Sequence, residues 1–211
     1  MTEDEARAWL ARTFDNWPCV GMTFMTFDAC LRAEARHQNL IAASTLDALW
    51  GRHFVDSAQL VPLAADAPPG PWIDLGSGAG LPGLVVALLT ARPVVLIEER
   101  RKRADFLEQM VDRLELRSSA SVHAGKVERY RGPPAAVISA RAFAPLPRLF
   151  ELALPLSTEK TLWVLPKGRN ARSELEQARI AWQGAFHVKQ SVTDPDSSII
   201  IATGVRRKAS R

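Results

Sequence analysis

Residues 74–83 read DLGSGAGLPG and hold four of the chain's 12 glycines within ten positions. They follow a short apolar run and precede a helical pattern, LPGLVVALLTA. A glycine-rich turn between a buried strand and a helix lets a ligand approach the backbone closely. Two registers are possible. Gly78, Gly80 and Gly83 match the dinucleotide pattern G-x-G-x-x-G, whereas Asp74 followed by Gly76, Gly78 and Gly80 matches the pattern of methyl-donor binding loops.

Beyond this loop the chain alternates apolar runs with amphipathic helical patterns. Such alternation, with strands apolar throughout, is typical of a parallel sheet covered by helices on both faces. The last two runs are joined by a short Asp-Pro-Asp connection, which predicts an antiparallel hairpin at one edge. We therefore predict a Rossmann-like α/β fold with a mostly parallel seven-stranded sheet, whose later strands fall near residues 93–98, 120–125, 135–140, 161–168, 185–192 and 197–205.

In the first part of the chain the apolar residues follow a different periodicity. Helical periodicity runs through EDEARAWLARTF, FDACLRAEARHQNLIA and LDALWGRHFVDSAQLV, until AADAPPGP (64–71) breaks it with three prolines and a glycine. We predict three parts: an N-terminal helical extension (1–66) packed on the core, a ligand-binding domain (67–205) and a basic tail (206–211). The tail, with Arg206, Arg207, Lys208 and Arg211, is predicted to be disordered.

Composition excludes several classes of protein. The 211 residues are 47% hydrophobic and 24% charged, which is typical of a globular protein and not of a disordered one. Cys19 and Cys30 are too few for a disulfide scaffold, and no signal-like or 18-residue apolar run is present. We expect a cytoplasmic protein without a membrane segment. The net charge of +4 permits an anionic partner without requiring one.

Two carboxylates bear on the choice of ligand. Asp74 ends the first strand, where it could organise the loop and, directly or through water, meet the ammonium of a methionine moiety. A pyrophosphate would be repelled there, so Asp74 favours a methyl donor; the alternative is that Asp74 only caps the turn. Glu98 ends the next apolar run and fits either ligand, because a carboxylate there accepts the ribose hydroxyls of an adenosine.

Several segments around the loop resemble those of one family. They are HQNLIA (37–42), RHFVDSAQL (52–60), GKVERY (125–130), ARAFAPL (140–146) and LPKGR (165–169), in this order around DLGSGAGLPG and the helix RRKRADFLEQMVDRLEL. With them the chain resembles the small-subunit (16S) ribosomal RNA methyltransferase G family, also called glucose-inhibited division protein B. It departs from the usual family pattern at Ile41 and Pro166, which leaves the details of RNA contact open.

The resemblance implies a class I methyltransferase that moves a methyl group from S-adenosylmethionine to N7 of a guanine in 16S ribosomal RNA, leaving S-adenosylhomocysteine. It implies the ribosomal RNA or the small subunit as partner, and we expect a monomer without a metal ion. Together with the loop pattern, it gives as cofactor-binding residues Asp74, Gly76, Gly78, Gly80, Leu81, Glu98, Val127, Glu128 and Arg141.

The implied chemistry needs no general base, because guanine N7 has a free lone pair and no proton. Arg141, His53 and Asp56 are nevertheless candidates for the reacting centre. His53 and Asp56 are spaced to share a helix face. They either approach the substrate base or hydrogen-bond between the extension and the sheet, and the second reading is favoured. Candidate RNA contacts are Asn39, Arg52, Arg101, Lys102, Lys167 and Arg169.

Alternatives from other classes remain at this point. An NAD-dependent oxidoreductase would use the dinucleotide register of the loop. A noncatalytic RNA-binding or assembly factor would keep the fold without the reaction, and a small-molecule methyltransferase would use the extension as a lid. Asp74 disfavours the first of these, and Asp74, Glu98 and Arg141 together disfavour the second. The basic net charge and the family segments disfavour the third, so an RNA methyltransferase is the leading hypothesis.

Overall fold

A computed structural model describes residues 1–209 and shows the predicted alternation of strands and helices. Its helices are α1 (Glu3–Thr13), α2 (Trp17–Glu34), α3 (Asp56–Ala58), α4 (Leu60–Leu63), α5 (Gly83–Leu89), α6 (Arg101–Arg113), α7 (Leu146–Ala153) and α8 (Ala171–Ala181). A 3₁₀ segment (Ala43–Ala48) and a π-helical segment (Trp50–Val55) lie between α2 and α3. The strands are β1 (Trp72–Leu75), β2 (Val94–Glu98), β3 (Ala120–Ala124), β4 (Val137–Ala140), β5 (Leu162–Lys167), β6 (Trp182–Gln190) and β7 (Ser198–Arg207).

The seven strands form one sheet in the order β3-β2-β1-β4-β5-β7-β6. The first five are parallel, and β7 pairs antiparallel with both β5 and β6, which confirms the predicted edge hairpin. The chain winds outward from β1 in both directions, so the carboxyl ends of β1 and β4 form a topological switch point. Ligands of doubly wound sheets bind at this place.

The sheet separates two apolar cores. One face packs against α7 and α8. The other packs against α5, α6 and the N-terminal helices, whose aromatic rings Phe24, Trp50 and Phe54 lie 5.1 to 6.3 Å apart between centroids. Because the extension and the sheet share one continuous cluster of buried side chains, the extension forms part of the wall of this core.

Two boundaries differ from the sequence prediction. Helix α2 ends at Glu34, although the periodic pattern continued to residue 42. Its end is followed by the polar run His37, Gln38 and Asn39, which offers no apolar face and favours turns. The predicted tail also begins too early, because Arg206 and Arg207 pair with β6 as the last residues of β7.

The backbone N–H of Lys208 donates to the carbonyl of Ala181 at 2.9 Å, so the ordered backbone continues one residue past β7. The sequence prediction of a tail from residue 206 missed this pairing, because a run of basic residues gives no strand signal. Arg211, the last basic residue of the predicted tail, lies outside the described residues.

The glycine loop is held from behind by Asp74, which is fully buried on β1. Its Oδ2 accepts a hydrogen bond from the backbone N–H of Gly83 at 3.2 Å, and its Oδ1 accepts one from Ser139 Oγ at 2.7 Å. Ser139 in turn accepts from Trp72 Nε1 at 2.8 Å. One carboxylate therefore joins β1, β4 and the first turn of α5.

Gly83 is required by this arrangement. A Cβ at this position would collide with Leu96 Cδ2 and lie 2.9 Å from Asp74 Oδ2. Helix α5 can approach β1 and β2 this closely only without a side chain there. Gly83, which completes the dinucleotide pattern in the sequence, is therefore a packing glycine.

Burial raises the pKa of Asp74 to about 6, against the opposing effect of its hydrogen bonds. The folded-state pKa thus lies above the ordinary value of an aspartate in an unfolded chain. Protonation of Asp74 therefore favours folding: its contribution is complete below the unfolded-state pKa and is lost as pH rises through about 6.

We predict that Asp74→Asn removes this pH dependence. An asparagine can still accept from Gly83 and donate to Ser139, but it does not titrate. We compare the free energies of unfolding of the wild-type protein and the variant. Their difference, wild type minus variant, should decrease by roughly 1–3 kcal/mol from pH 4 to pH 7. Urea denaturation at several pH values measures this difference, and other titrating groups cancel in it. A difference independent of pH would show that Asp74 does not titrate in this range.

Candidate active site

Two cavities open at the carboxyl ends of the parallel strands. The smaller has a volume of about 420 Å³ and lies over the ends of β1, β2 and β3. The larger has a volume of about 570 Å³ and lies between the end of β4, the end of β5 and the N-terminal extension. Both are lined by Ala142, Phe143 and Ala144, the segment that directly follows β4. We call this segment the shared wall.

The smaller cavity is built on the glycine loop and on Glu98. Gly76 and Gly78 have φ angles of +65° and +54°, a conformation in which side chains other than glycine are strained. Glu98 is 4% exposed; its Oε2 accepts from Gly78 N–H at 3.0 Å and its Oε1 accepts from Arg100 N–H at 2.8 Å. The carboxylate that ends β2 therefore fixes the loop and forms part of the cavity wall.

The remaining walls of the smaller cavity fit an adenosine-containing ligand. Ile97, Val127 and Leu152 supply apolar surface for an adenine ring. The carboxylates of Glu98 and Glu128 supply acceptors for ribose hydroxyls. The other polar lining residues include the cations Arg100, Arg103, Lys126 and Arg148, which suit a ligand carboxylate. This set of donors and acceptors matches S-adenosylmethionine.

The nine predicted cofactor residues divide into three groups, of which the third, Arg141 alone, lines the larger cavity. Gly76, Glu98, Val127 and Glu128 line the smaller cavity together. The second group does not line it and supports the loop from outside the cavity: Asp74 through its hydrogen bonds, Gly78 through its N–H to Glu98, and Gly80 and Leu81 through packing in the core below. The prediction that Asp74 meets the ligand, directly or through water, stays a prediction; in the structure its carboxylate is fully buried and bonds to Gly83 and Ser139.

Asp56 connects three parts of the larger cavity. Its Oδ2 lies 3.4 Å from a guanidinium nitrogen of Arg141, after β4. Its Oδ1 accepts from Gln59 Nε2 and from Thr193 Oγ1, both at 2.9 Å. Thr193 belongs to the connection between β6 and β7. Asp56 thus makes the predicted bonds between extension and sheet, and it also lines the cavity.

His53 is 8% exposed, and its Nε2 lies 2.8 Å from Thr45 Oγ1. Burial, reinforced by the positive charges of Arg141 and Arg52, lowers its pKa to about 3. The imidazole is therefore neutral at physiological pH. Its bond to Thr45 stays within the extension, so the predicted bridge from His53 to the sheet is absent from the described residues, while His53 still lines the larger cavity.

Arg141 lies on the wall of the larger cavity, immediately before the shared wall. In addition to its pairing with Asp56, it approaches the carbonyl of Arg52 at 3.5 Å. The resemblance implied a cofactor contact for Arg141, but its side chain faces the cavity that does not contain the glycine loop.

The predicted RNA contacts fall at three places. Arg52 and Lys167 line the larger cavity, where Arg52 pairs with Asp194 at 3.0 Å and Lys167 Nζ pairs with Glu174 at 2.8 Å. A surface hollow holds Asn39, Arg101 and Lys102, together with Gln38, Arg100 and Arg103. Arg169 is exposed after β5, outside these hollows.

Sequence reasoning missed several lining residues. Phe143 lies within a quoted family segment but carries no pattern of its own. Thr193 and Asp194 lie in a short polar connection whose sequence indicates only a turn. Arg148 lies in helix α7, whose other residues are mostly apolar, so the sequence indicates packing and not a binding site. Each becomes visible only when the chain closes around the two cavities.

Within residues 1–209, no three His, Cys, Asp or Glu side chains gather as a set that could hold a metal ion. Across the same range, the helices are all too short or too polar to cross a membrane.

Comparison with known proteins supports the fold. An O-methyltransferase, TomG from Streptomyces achromogenes in complex with S-adenosylmethionine, superposes with a TM-score of 0.58 at 13% identity, covering 84% of this chain and 88% of TomG. An O-methyltransferase from Bacillus cereus in complex with S-adenosylhomocysteine gives 0.55 at 16% identity, covering 85% of this chain and 90% of that one. The Rossmann-like α/β fold predicted from the strand pattern is confirmed, and so is the class I methyltransferase fold that the resemblance implies.

Sequence comparison is more specific. The family model described as rRNA small subunit methyltransferase G matches residues 23–198. Proteins named ribosomal RNA small subunit methyltransferase G are 46% identical in Zymomonas mobilis, over 99% of this chain and 96% of that protein, and 50% identical in Sphingopyxis alaskensis, over 96% and 86%. The resemblance drawn from the motifs is confirmed: the chain belongs to the rRNA small subunit methyltransferase G family.

Proposed function

We propose that the chain methylates N7 of a guanine in 16S ribosomal RNA, with the methyl donor in the smaller cavity and the guanine in the larger. Family membership makes the chain an S-adenosylmethionine-dependent methyltransferase of small-subunit ribosomal RNA. The observation that carries the placement is the shared wall: two cavities, one suited to an adenosine and one open to a base, meet at the ends of β1 and β4.

The reaction makes limited demands on side chains. Bound S-adenosylmethionine supplies a methyl group on a positively charged sulfur, and the charge passes to the purine as N7 takes the methyl. N7 has a lone pair and no proton, so no residue must act as a general base. The chain's task is to align the base, to exclude water and to place negative charge near the purine.

On the donor side, we assign Glu98 and Glu128 to the ribose hydroxyls and Val127 to the adenine ring. Gly76 gives the ligand close access to the backbone. Asp74 acts on the ligand indirectly, because its hydrogen bond to Gly83 fixes the loop. Gly78, Gly80 and Leu81 contribute the loop's shape.

On the substrate side, Asp56, Arg141 and His53 form the part of the cavity nearest the extension. The Asp56 carboxylate is the acceptor best placed to balance positive charge on the methylated base. Arg141 is a donor for a guanine oxygen or a phosphate. Neutral His53 contributes a hydrogen-bonding surface, and its low pKa agrees with a reaction that moves no proton.

A basic surface leads from the hollow around Asn39 to the donor cavity, because Arg100 and Arg103 line both. We propose that Arg101, Lys102 and Asn39 hold the RNA backbone there. Arg52, Lys167 and Arg169 would hold it on the far side of the larger cavity. Ribosomal RNA as substrate places the reaction in the cytoplasm, and we propose a monomer that needs no metal ion.

The direct test is methyl transfer from radiolabelled S-adenosylmethionine to small subunits that lack their own modification, with free 16S RNA in parallel. We expect label on one guanine, mapped to N7 by cleavage at the modified base. Label at a ring carbon or an exocyclic nitrogen would contradict the N7 assignment. Absence of label from both substrates would contradict the proposed function.

The assignment of Glu98 is tested by Glu98→Gln. A glutamine loses one charged acceptor shared between the loop and the ligand, and hydrogen bonds to charged groups are worth about 1.5–3 kcal/mol. Calorimetry should therefore show S-adenosylmethionine affinity reduced roughly tenfold or more. Glu99→Gln is the matched control, since Glu99 is adjacent, exposed and on the same cavity. An equal loss of S-adenosylmethionine affinity in the two variants would contradict the assignment of Glu98 to the ligand.

The basic hollow is tested by Lys102→Glu. The exchange places a negative charge where we propose a phosphate, so binding to 16S RNA should weaken and its salt dependence should become shallower by about one unit of log–log slope. Lys160→Glu is the control, because Lys160 is exposed just before β5, at the opposite end of the strands. Filter binding over a range of salt concentrations measures both. A shallower slope in the control as well would indicate a general charge effect.

A further inference from the structure

The shared wall is held at both ends. Before it, Arg141 pairs with Asp56 at 3.4 Å. At its end, the carbonyl of Ala144 accepts a hydrogen bond from Lys167 Nζ at 3.0 Å, and Lys167 is fixed by Glu174. Ala142 has a φ angle of +51°, which side-chain-bearing residues adopt at a cost. The contacts at the two ends therefore hold the backbone in a conformation that is unfavourable by itself.

This constraint positions the ring of Phe143. The ring lies over the glycine loop, because its Cδ2 is 2.6 Å from the point where a Cβ on Gly76 would stand. Phe143 is half-buried and lines both cavities. In the described part of the chain no other aromatic ring stacks on it, although rings elsewhere in the core pack together. Part of its surface is therefore available to a ligand.

An aromatic surface between a methyl donor and a base has a defined use. Nucleobases that leave a stack are held by aromatic side chains, because every base has a π-face. An aromatic ring also attracts a cation over its face. Methylation at N7 turns a neutral purine into a cation, so attraction to the ring grows as the methyl group moves. Interactions that strengthen towards the transition state raise kcat.

We infer that Phe143 is the surface on which the target guanine stacks during methyl transfer, and that its ring stabilises the positive charge developing on the purine. This inference rests on the proposed function, since it requires the donor and the guanine to occupy the two cavities. It assigns a substrate contact to a residue that lies between the carried-over cofactor residue Arg141 and helix α7.

The test compares Phe143→Leu and Phe143→Met, which keep apolar bulk but lack a π-face, with Phe143→Tyr, which keeps it. Each is assayed for methyl transfer to unmodified small subunits, for S-adenosylmethionine affinity by calorimetry and for thermal stability. Phe186→Leu is the matched control, because Phe186 is a half-buried aromatic residue on β6 that lines neither cavity.

We expect kcat to fall roughly tenfold or more in the Leu and Met variants. S-adenosylmethionine affinity should stay within about threefold, and the KM for subunits should change little because phosphate contacts dominate it. The Tyr variant should recover most of the rate. Having two aromatic-free variants keeps the test valid if one of them fails to fold.

Two results would overturn the inference. One is an unchanged kcat in the Leu and Met variants, with the unmodified protein active. The other is a loss of rate matched by an equal loss of S-adenosylmethionine affinity, which would mean that the ring serves only the glycine loop. An unmodified protein that binds the cofactor but labels neither subunits nor RNA would instead contradict the proposed function, so the two failures are distinguishable.

Discussion

The buried carboxylate of Asp74 is the constraint on which the rest of the site depends. A carboxylate without access to water is costly unless its oxygens are hydrogen-bonded, and here they bind the first turn of α5 and Ser139 on β4. These two bonds join β1 to β4 at the switch point and hold the first turn of α5, and with it the glycine loop, against β1. The loop fixes Gly78 against Glu98, and the end of β4 fixes where the shared wall begins. Both cavities therefore take their form from a group that touches neither.

Much of the fold could be predicted from the sequence because its signals are local. Strands apolar on both faces, a glycine loop and a short polar turn before β7 predict the sheet, the switch point and the hairpin. The family could be predicted because its motifs, such as RHFVDSAQL, are specific in order and spacing. The role of Asp74 was predicted only in part. Its position relative to the glycines indicated that it organises the loop. The burial of its carboxylate, which keeps the group out of both cavities, depends on how α5 packs.

The larger cavity could not be assembled from the sequence because its bonds join distant positions. Asp56 meets Arg141 and Thr193, 85 and 137 residues further along the chain, and no spacing rule links them. The neutral state of His53 likewise depends on folding, which buries the imidazole and brings Arg141 near it. Phe143 belongs to the segment ARAFAPL, whose pattern does not indicate that its ring lines both cavities. The same limit applies to Arg206 and Arg207, whose charge suggested a free tail while their backbone completes β7.

The two cavities differ in where along the chain their walls originate. The smaller one is built by consecutive strand–loop units between β1 and α7, whereas the larger one requires the N-terminal extension and the connection between β6 and β7 to meet across Asp56 and Arg52. Under the proposed function, the part of the extension around Asp56 and the connection between β6 and β7 belong to the substrate side. Neither of these two segments lines the smaller cavity, so changes in them would vary the molecule that is modified without changing the walls that hold the methyl donor. The proposed substrate side is complete only when both segments are in contact through Asp56 and Thr193 and through Arg52 and Asp194.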